Sequence, residues 1–310
     1  MRKTSLEWVH RLAQKDPRVL FIGSDLGAGV LESMRIEMPD RWYMEGVAEQ
    51  HIIGMAAGLA MEGFLPYVNT IATFLTRRCY EQLVVDVGLH HAPIRLIGNG
   101  GGVVYAPLGP THQAIEDIAM MRLIPNMTVI APCDADEMAR VMEASLVWPD
   151  PIYLRLAKGG DSIVSHPTDG FEIGKAVVYR EPGKVLLVST GIMTQRALEV
   201  STMLEKVGIS CGVLHMHTVK PCDDKMLLDL ASEVRIVVTL EEHKRDGGLG
   251  TIVLETLSEL NVAKVPKVVR KGIPDSFPTQ YGSQDSLLES WRLDAKSLVV
   301  DIEKEILERI

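Results

Sequence analysis

Short apolar runs that alternate with helix-length segments, twice over, leave this chain few architectures. Residues 19–24 (VLFIGS), 66–71, 94–97, 128–131 and 152–156 are apolar runs bounded by turn-forming or polar residues. Strands covered on both faces read this way, as near-continuous apolar stretches. Between them lie segments of helical length near residues 5–14, 49–62, 74–89, 113–122 and 135–147. Strand and helix in alternation predict a parallel sheet wound with helices on both faces. The stretch KGGDSIVSHPTDG (158–170) interrupts the pattern as a linker. The pattern then restarts, with strands at 185–189, 209–216, 235–240 and 267–270 and helices at 193–207, 223–232 and 249–260. The expected fold class is α/β, with two doubly wound domains: 1–165, followed by a smaller 173–310.

Composition narrows the partners. A net charge of -9 with dispersed basic residues argues against nucleic acid. No 18-residue apolar run and no signal-peptide core are present, so the expectation is a cytoplasmic chain without a membrane partner. Cys79, Cys133, Cys211 and Cys222 show no CxxC or metal-finger spacing and read as reduced thiols.

Three stretches stand out as carriers of chemistry. The first is Gly46-Val47-Ala48-Glu49-Gln50-His51, followed from Ile52 to Met61 by ten residues without charge or polar side chain. A helix apolar all round is buried on every face, so Glu49 is expected to be a desolvated carboxylate. Such a group demands a partner. Capping a helix N-terminus is the plainer role for it. The second is Gly109-Pro110-Thr111-His112-Gln113, just after the glycine-rich loop Asn99 to Gly102. The third is Glu241-Glu242-His243 with Gly247-Gly248-Leu249-Gly250. Neither glycine run forms the GxGxxG turn of a dinucleotide site.

In this order and spacing, the stretches closely resemble the pyrimidine-binding and carboxy-terminal portions of transketolases and the related deoxyxylulose-phosphate synthases. The resemblance continues through IPNMTVIAPCDADE (124–137), TVKPCD and EEHKRDGGLG. It implies thiamine diphosphate as cofactor, with Glu49 hydrogen-bonded to N1′ of the aminopyrimidine ring. Through that contact the exocyclic nitrogen can take the proton from thiazolium C2. It further implies Phe74 packed on the ring, Leu26 in Ser24-Asp25-Leu26 supporting the bent cofactor, and Arg77 beside it. His112 would lie near the substrate, with Arg2 and Lys158 as cations for a phosphate. The family's Gly-Asp-Gly motif for the diphosphate and Mg²⁺ is absent from these residues. The resemblance therefore implies a separate diphosphate-binding subunit, a dimer of heterodimers, and no metal ligand in this chain.

Departures concentrate in substrate recognition. Leu108 stands where transketolases carry a hydroxyl-sensing aspartate, Gly100 and Gly101 where phosphate-contacting side chains are usual, and Gly29 where a serine is usual. The implied reaction is transfer of a two-carbon ketol unit from a ketose to an aldehyde, on substrates other than the standard pentose phosphates. The alternatives are the β subunit of a 2-oxo acid dehydrogenase E1 component and a decarboxylating carboligase.

Overall fold

The computed structural model describes residues 1–157, 159–259 and 265–307. Six strands come from the first part of the chain: β1 (Val19–Gly23), β2 (Trp42–Met44), β3 (Leu65–Ile71), β4 (Arg95–Asn99), β5 (Thr128–Ile130) and β6 (Ile152–Leu156). Six more follow: β7 (Val177–Arg180), β8 (Val185–Ser189), β9 (Cys211–His215), β10 (Thr218–Lys220), β11 (Ile236–Lys244) and β12 (Lys267–Ile273). They form a seven-stranded sheet, order β10-β5-β6-β4-β3-β1-β2, and a five-stranded sheet, order β12-β11-β8-β9-β7. All neighbours run parallel except β10 against β5 and β7 against β9. Every residue of β1, β3, β4, β5 and β6 is buried, as strands with helices on both faces require. The α/β class with two wound sheets is as expected.

One strand does not respect the linker. β10 follows β9 of the second sheet, yet pairs with β5 at the edge of the first, Thr218 opposite Ile130. The apolar core is likewise continuous. One cluster runs from Ile52 and Val68 through Met121 and Met127 to Met216, Leu227 and Leu249.

The helix Glu49–Met61 corrects one expectation. It buries Glu49, Ile52, Ile53, Ala56, Ala57 and Ala60, but Gln50, His51, Gly54, Gly58 and Met61 are exposed. The outward stripe reads as apolar because it is built partly of glycine, which adds no side chain to cover. The next helix also departs from regular geometry. Phe74–Arg78 and Leu83–Leu89 are wide π turns, with one ordinary turn, Tyr80–Gln82, between them. Such turns recur at functional positions.

Candidate active site

Because β1, β2, β3, β4 and β6 are parallel, the loops leaving their carboxyl ends share one edge of the sheet, where wound α/β folds place ligands. Those loops carry Asp25 and Leu26, Glu49, Phe74, and the glycines 100–102. Polar residues at the strand ends fix them. Asn99 Nδ2 donates to Asn69 Oδ1 at 2.7 Å and to the Thr70 carbonyl, and Asn69 Nδ2 donates to the Leu26 carbonyl at 3.1 Å. Ser24 Oγ donates to Asp25 Oδ1 at 2.9 Å and lies 2.8 Å from Thr70 Oγ1. Gly27 turns there with φ +91°, and a Cβ would stand 2.7 Å from Leu6. Asn69 was not singled out from the sequence, where it is the one amide inside the run 66–71, and Asn99 was noted only as the start of the glycine-rich loop.

Glu49 begins its helix 1% exposed. Arg78 Nη1 donates to its Oε2 at 2.5 Å. The same guanidinium lies 4.6 Å from the centre of the Phe74 ring, and Phe74 meets His112 edge-on at 5.1 Å. Glu49, Phe74 and His112 are thus linked, Glu49 to the ring through Arg78 and His112 by direct contact. The sequence reading did not select Arg78. Arg77 points elsewhere: it pairs with Glu116, and its Nη2 donates to the Gln113 carbonyl at 2.9 Å, which ties the helix to the loop behind His112. Several buried polar atoms at this edge have no protein partner: Thr73 Oγ1, Asn99 Oδ1 and both amide atoms of Gln113.

The glycine loop leaves no room for side chains. A Cβ on Gly100 would lie 2.1 Å from the Tyr105 ring, one on Gly101 2.6 Å from Arg155, and one on Gly102 2.4 Å from Glu242. Gly100 and Gly101 are packed shut by these neighbours. Leu108 is half exposed. Arg2 starts the first helix beside the segment after β6, since the Met1 amine lies 3.5 Å from a Cβ placed on Gly159. Lys158 lies outside the described residues.

Glu241, Glu242 and His243 belong to the seam between the two sheets rather than to the open edge. Glu242 Oε1 accepts from Val103 N at 2.8 Å and from Gln284 Nε2 at 2.9 Å. Glu241 accepts from Leu249 N and Gly250 N at 2.7 and 2.9 Å. Burial raises both carboxyls to about 7 against the pull of these donors. Arg155 crosses the seam, donating to Asp117 Oδ2 at 2.8 Å and to the Glu242 carbonyl at 2.8 Å. Another cluster there, Cys133, Glu137 and His215, has metal-like spacing but is already bonded inward. Glu137 Oε2 accepts from Cys133 N at 2.7 Å and bonds His215 Nε2 at 2.9 Å, while His215 Nδ1 bonds Thr194 Oγ1 at 2.7 Å. Burial also pushes the Cys133 thiol far up. No described helix is long and apolar enough to cross a membrane.

Residues 1–160 match the family model "Transketolase, pyrimidine binding domain" and residues 174–298 match "Transketolase, C-terminal domain". A transketolase family protein of Sinorhizobium fredii is 38% identical over 94% of this chain and 85% of its own length. A subunit of a 6-deoxy-6-sulfo-D-fructose transketolase from Clostridium is 35% identical over 96% of this chain and 92% of its own. A 1-deoxy-D-xylulose-5-phosphate synthase of Synechococcus is 37% identical, but this chain spans only 43% of it. Among solved structures, a split-gene transketolase described as an inactive β4 tetramer superposes with TM-score 0.88 at 34% identity, covering 98% of this chain and 97% of the other.

Proposed function

Because this chain belongs to the transketolase family, we propose that it is the pyrimidine-binding half of a thiamine-diphosphate-dependent enzyme that moves a two-carbon ketol unit from a ketose to an aldehyde. The observation that carries this reading is the grouping of buried Glu49, the Phe74 face and His112 at one sheet edge, with a flat cation held between the first two. These residues, with the unpartnered polar atoms of Thr73, Asn99 and Gln113, fit a flat aminopyrimidine with nitrogen donors and acceptors on its rim.

When bound, thiamine diphosphate supplies a nucleophilic carbon and an electron sink for C–C cleavage and formation. Glu49 holds a proton shared with N1′ of the pyrimidine, and Phe74 orients the ring by stacking. Leu26, held by Asn69, supports the cofactor from the β1 loop, and Asp25 ties that loop to Ser24. His112 holds and moves the proton of the substrate hydroxyl. Arg77 positions the His112 loop through Glu116 and the Gln113 carbonyl. The diphosphate and Mg²⁺ belong to a separate subunit, with the two kinds of chain forming a dimer of heterodimers. The near-complete mutual coverage with a split-gene transketolase chain supports the separate subunit.

The substrate differs from the standard pentose phosphates, because Gly100 and Gly101 are sterically closed to phosphate-binding side chains and Leu108 replaces a hydroxyl sensor. Arg2 and Lys158 remain as cations for an anionic tail, and the relative named as a 6-deoxy-6-sulfo-D-fructose transketolase subunit supports a substrate with an anion other than phosphate. The identity to deoxyxylulose-phosphate synthases supports, as a second reading, carboligation from a 2-oxo acid donor.

The test is to assemble the chain with a diphosphate-binding subunit, thiamine diphosphate and Mg²⁺, and to screen ketose and 2-oxo acid donors by mass spectrometry. Ketol transfer without CO₂ release is expected. CO₂ release would select the second reading. A kcat/KM above about 10⁴ M⁻¹s⁻¹ for xylulose 5-phosphate with ribose 5-phosphate would overturn the substrate assignment.

A further inference from the structure

Arg78 and Arg77 are neighbours with opposite constraints. Arg77 is fixed by Glu116 and the Gln113 carbonyl. Arg78 has a side chain 42% exposed, and its acidic partner among the described residues is Glu49. Its guanidinium bonds a buried carboxylate on one edge and covers an aromatic face 4.6 Å away. In the reading above, the aminopyrimidine ring of the cofactor uses those same two surfaces. The two groups are chemically alike: both are flat, delocalised and edged with N–H donors.

We propose that Arg78 is a built-in occupant of the pyrimidine site, which pairs with Glu49 and covers Phe74 until the aminopyrimidine ring displaces it. The proposal rests on the cofactor reading of the preceding subsection. Two requirements meet in this residue. A buried carboxylate left without a partner is strongly disfavoured, so before the cofactor arrives Glu49 needs a cation. That cation must also be able to leave, and a long side chain on the solvent side of a helical turn can swing away without moving the backbone. Arg78 therefore lowers apparent cofactor affinity by the fraction of time it occupies the site, in exchange for keeping the free subunit intact.

The experiment uses the full chain alone and the pyrimidine half of the cofactor, 4-amino-5-hydroxymethyl-2-methylpyrimidine, with binding read by saturation-transfer NMR. Arg78→Gln is expected to bind the probe roughly tenfold more tightly than wild type, as for removal of an occupant present about nine-tenths of the time. Arg78→Lys, which keeps the charge but neither the fork nor the flat face, should also bind more tightly and replaces Arg78→Gln if that variant does not fold. Adding Glu49→Gln should abolish the gain. Equal or weaker binding by the Arg78 variants, with binding still dependent on Glu49, overturns the proposal and leaves the cofactor reading standing. Absence of binding in every variant, or binding indifferent to Glu49→Gln, overturns the cofactor reading and the proposal with it.

Discussion

Glu49 and Glu137 are the same residue in nearly the same setting. Each lies in the first turn of a helix after a short loop, and each is 1% exposed. They differ in what holds them. Glu137 accepts from a buried backbone amide and bonds buried His215, itself fixed by Thr194. Burial would raise its carboxyl, but His215, His217 and the Cys133 amide bring it down to about 2. Glu49 is held by a partly exposed arginine. Burial alone therefore does not mark an active site. A buried carboxylate with immobile partners belongs to the architecture, and one with a movable partner is set up for exchange with a ligand.

The sharpest way to break this comparison is to neutralise each glutamate in turn. Glu49→Gln should slow C2-hydrogen exchange of thiamine diphosphate in the assembled enzyme by about 10²–10⁴-fold, with unfolding midpoints little changed. Less than a tenfold loss would remove Glu49 from proton handling. Glu137→Ala should do the reverse, destabilising the chain by about 3–5 kcal/mol in urea because it leaves His215 and the Cys133 amide unpaired in the interior. A stability change as small as that of Glu49→Gln would erase the distinction.

Titration sharpens the contrast further. Glu137 has its folded value, about 2, below the ordinary 4.5, so its contribution is present above pH 4.5 and is lost as pH falls toward 2. His217, lowered to about 4 chiefly by burial, likewise contributes above 6.5 and loses that contribution as pH falls to 4. Each is worth about 3 kcal/mol. The seam should therefore open in acid, and Glu137→Gln should flatten the limb below pH 4.5 in stability curves measured by urea unfolding.

The smallest expected effect is at Glu242, whose folded value of about 7 lies above 4.5. Its contribution is full below 4.5 and lost as pH rises through 7. Glu242→Gln should be more stable than wild type at pH 8 by about 1–3 kcal/mol and should show a shallower decline between pH 5 and 7, the remainder belonging to Glu241. An unchanged decline would assign it elsewhere, with Glu241 the next candidate.

Legibility from sequence followed burial. Ile152–Leu156 and Val185–Ser189 have the bounds expected, because strands covered on both faces are written as unbroken apolar runs. Trp42–Met44, Val177–Arg180 and Thr218–Lys220 went unread: three or four residues at sheet edges are too few to carry a period. The helices Gln284–Ser290 and Ala295–Leu307 also went unread, although Ser283 and Ser286 form a capping box at the first and Leu298, Val299 and Ile302 form a buried face on the second. At the candidate site, Glu49 and His112 stand out because each sits in a distinctive stretch, whereas Phe74 follows from the family resemblance alone. Arg78 went unread. In a regular helix, residues three and four positions after Phe74 share its face, so spacing alone cannot choose between the two arginines. The partners Glu116 and Glu49 make that choice, and both are remote in sequence.

The crossing of β10 into the first sheet has a consequence for how the chain is made. Sixty-one residues separate the end of β6 at Leu156 from the start of β10 at Thr218. At a ribosomal rate of about 5–20 residues per second, the first sheet waits about 3–12 s with the outer side of β5 unpaired. An unpaired edge invites pairing with any other strand nearby. Only when the second half has emerged does β10 close that edge. The two halves are therefore successive in sequence but not in completion. A ribosome that stalls between residues 157 and 217 would leave a nearly finished sheet with its edge open to another nascent copy.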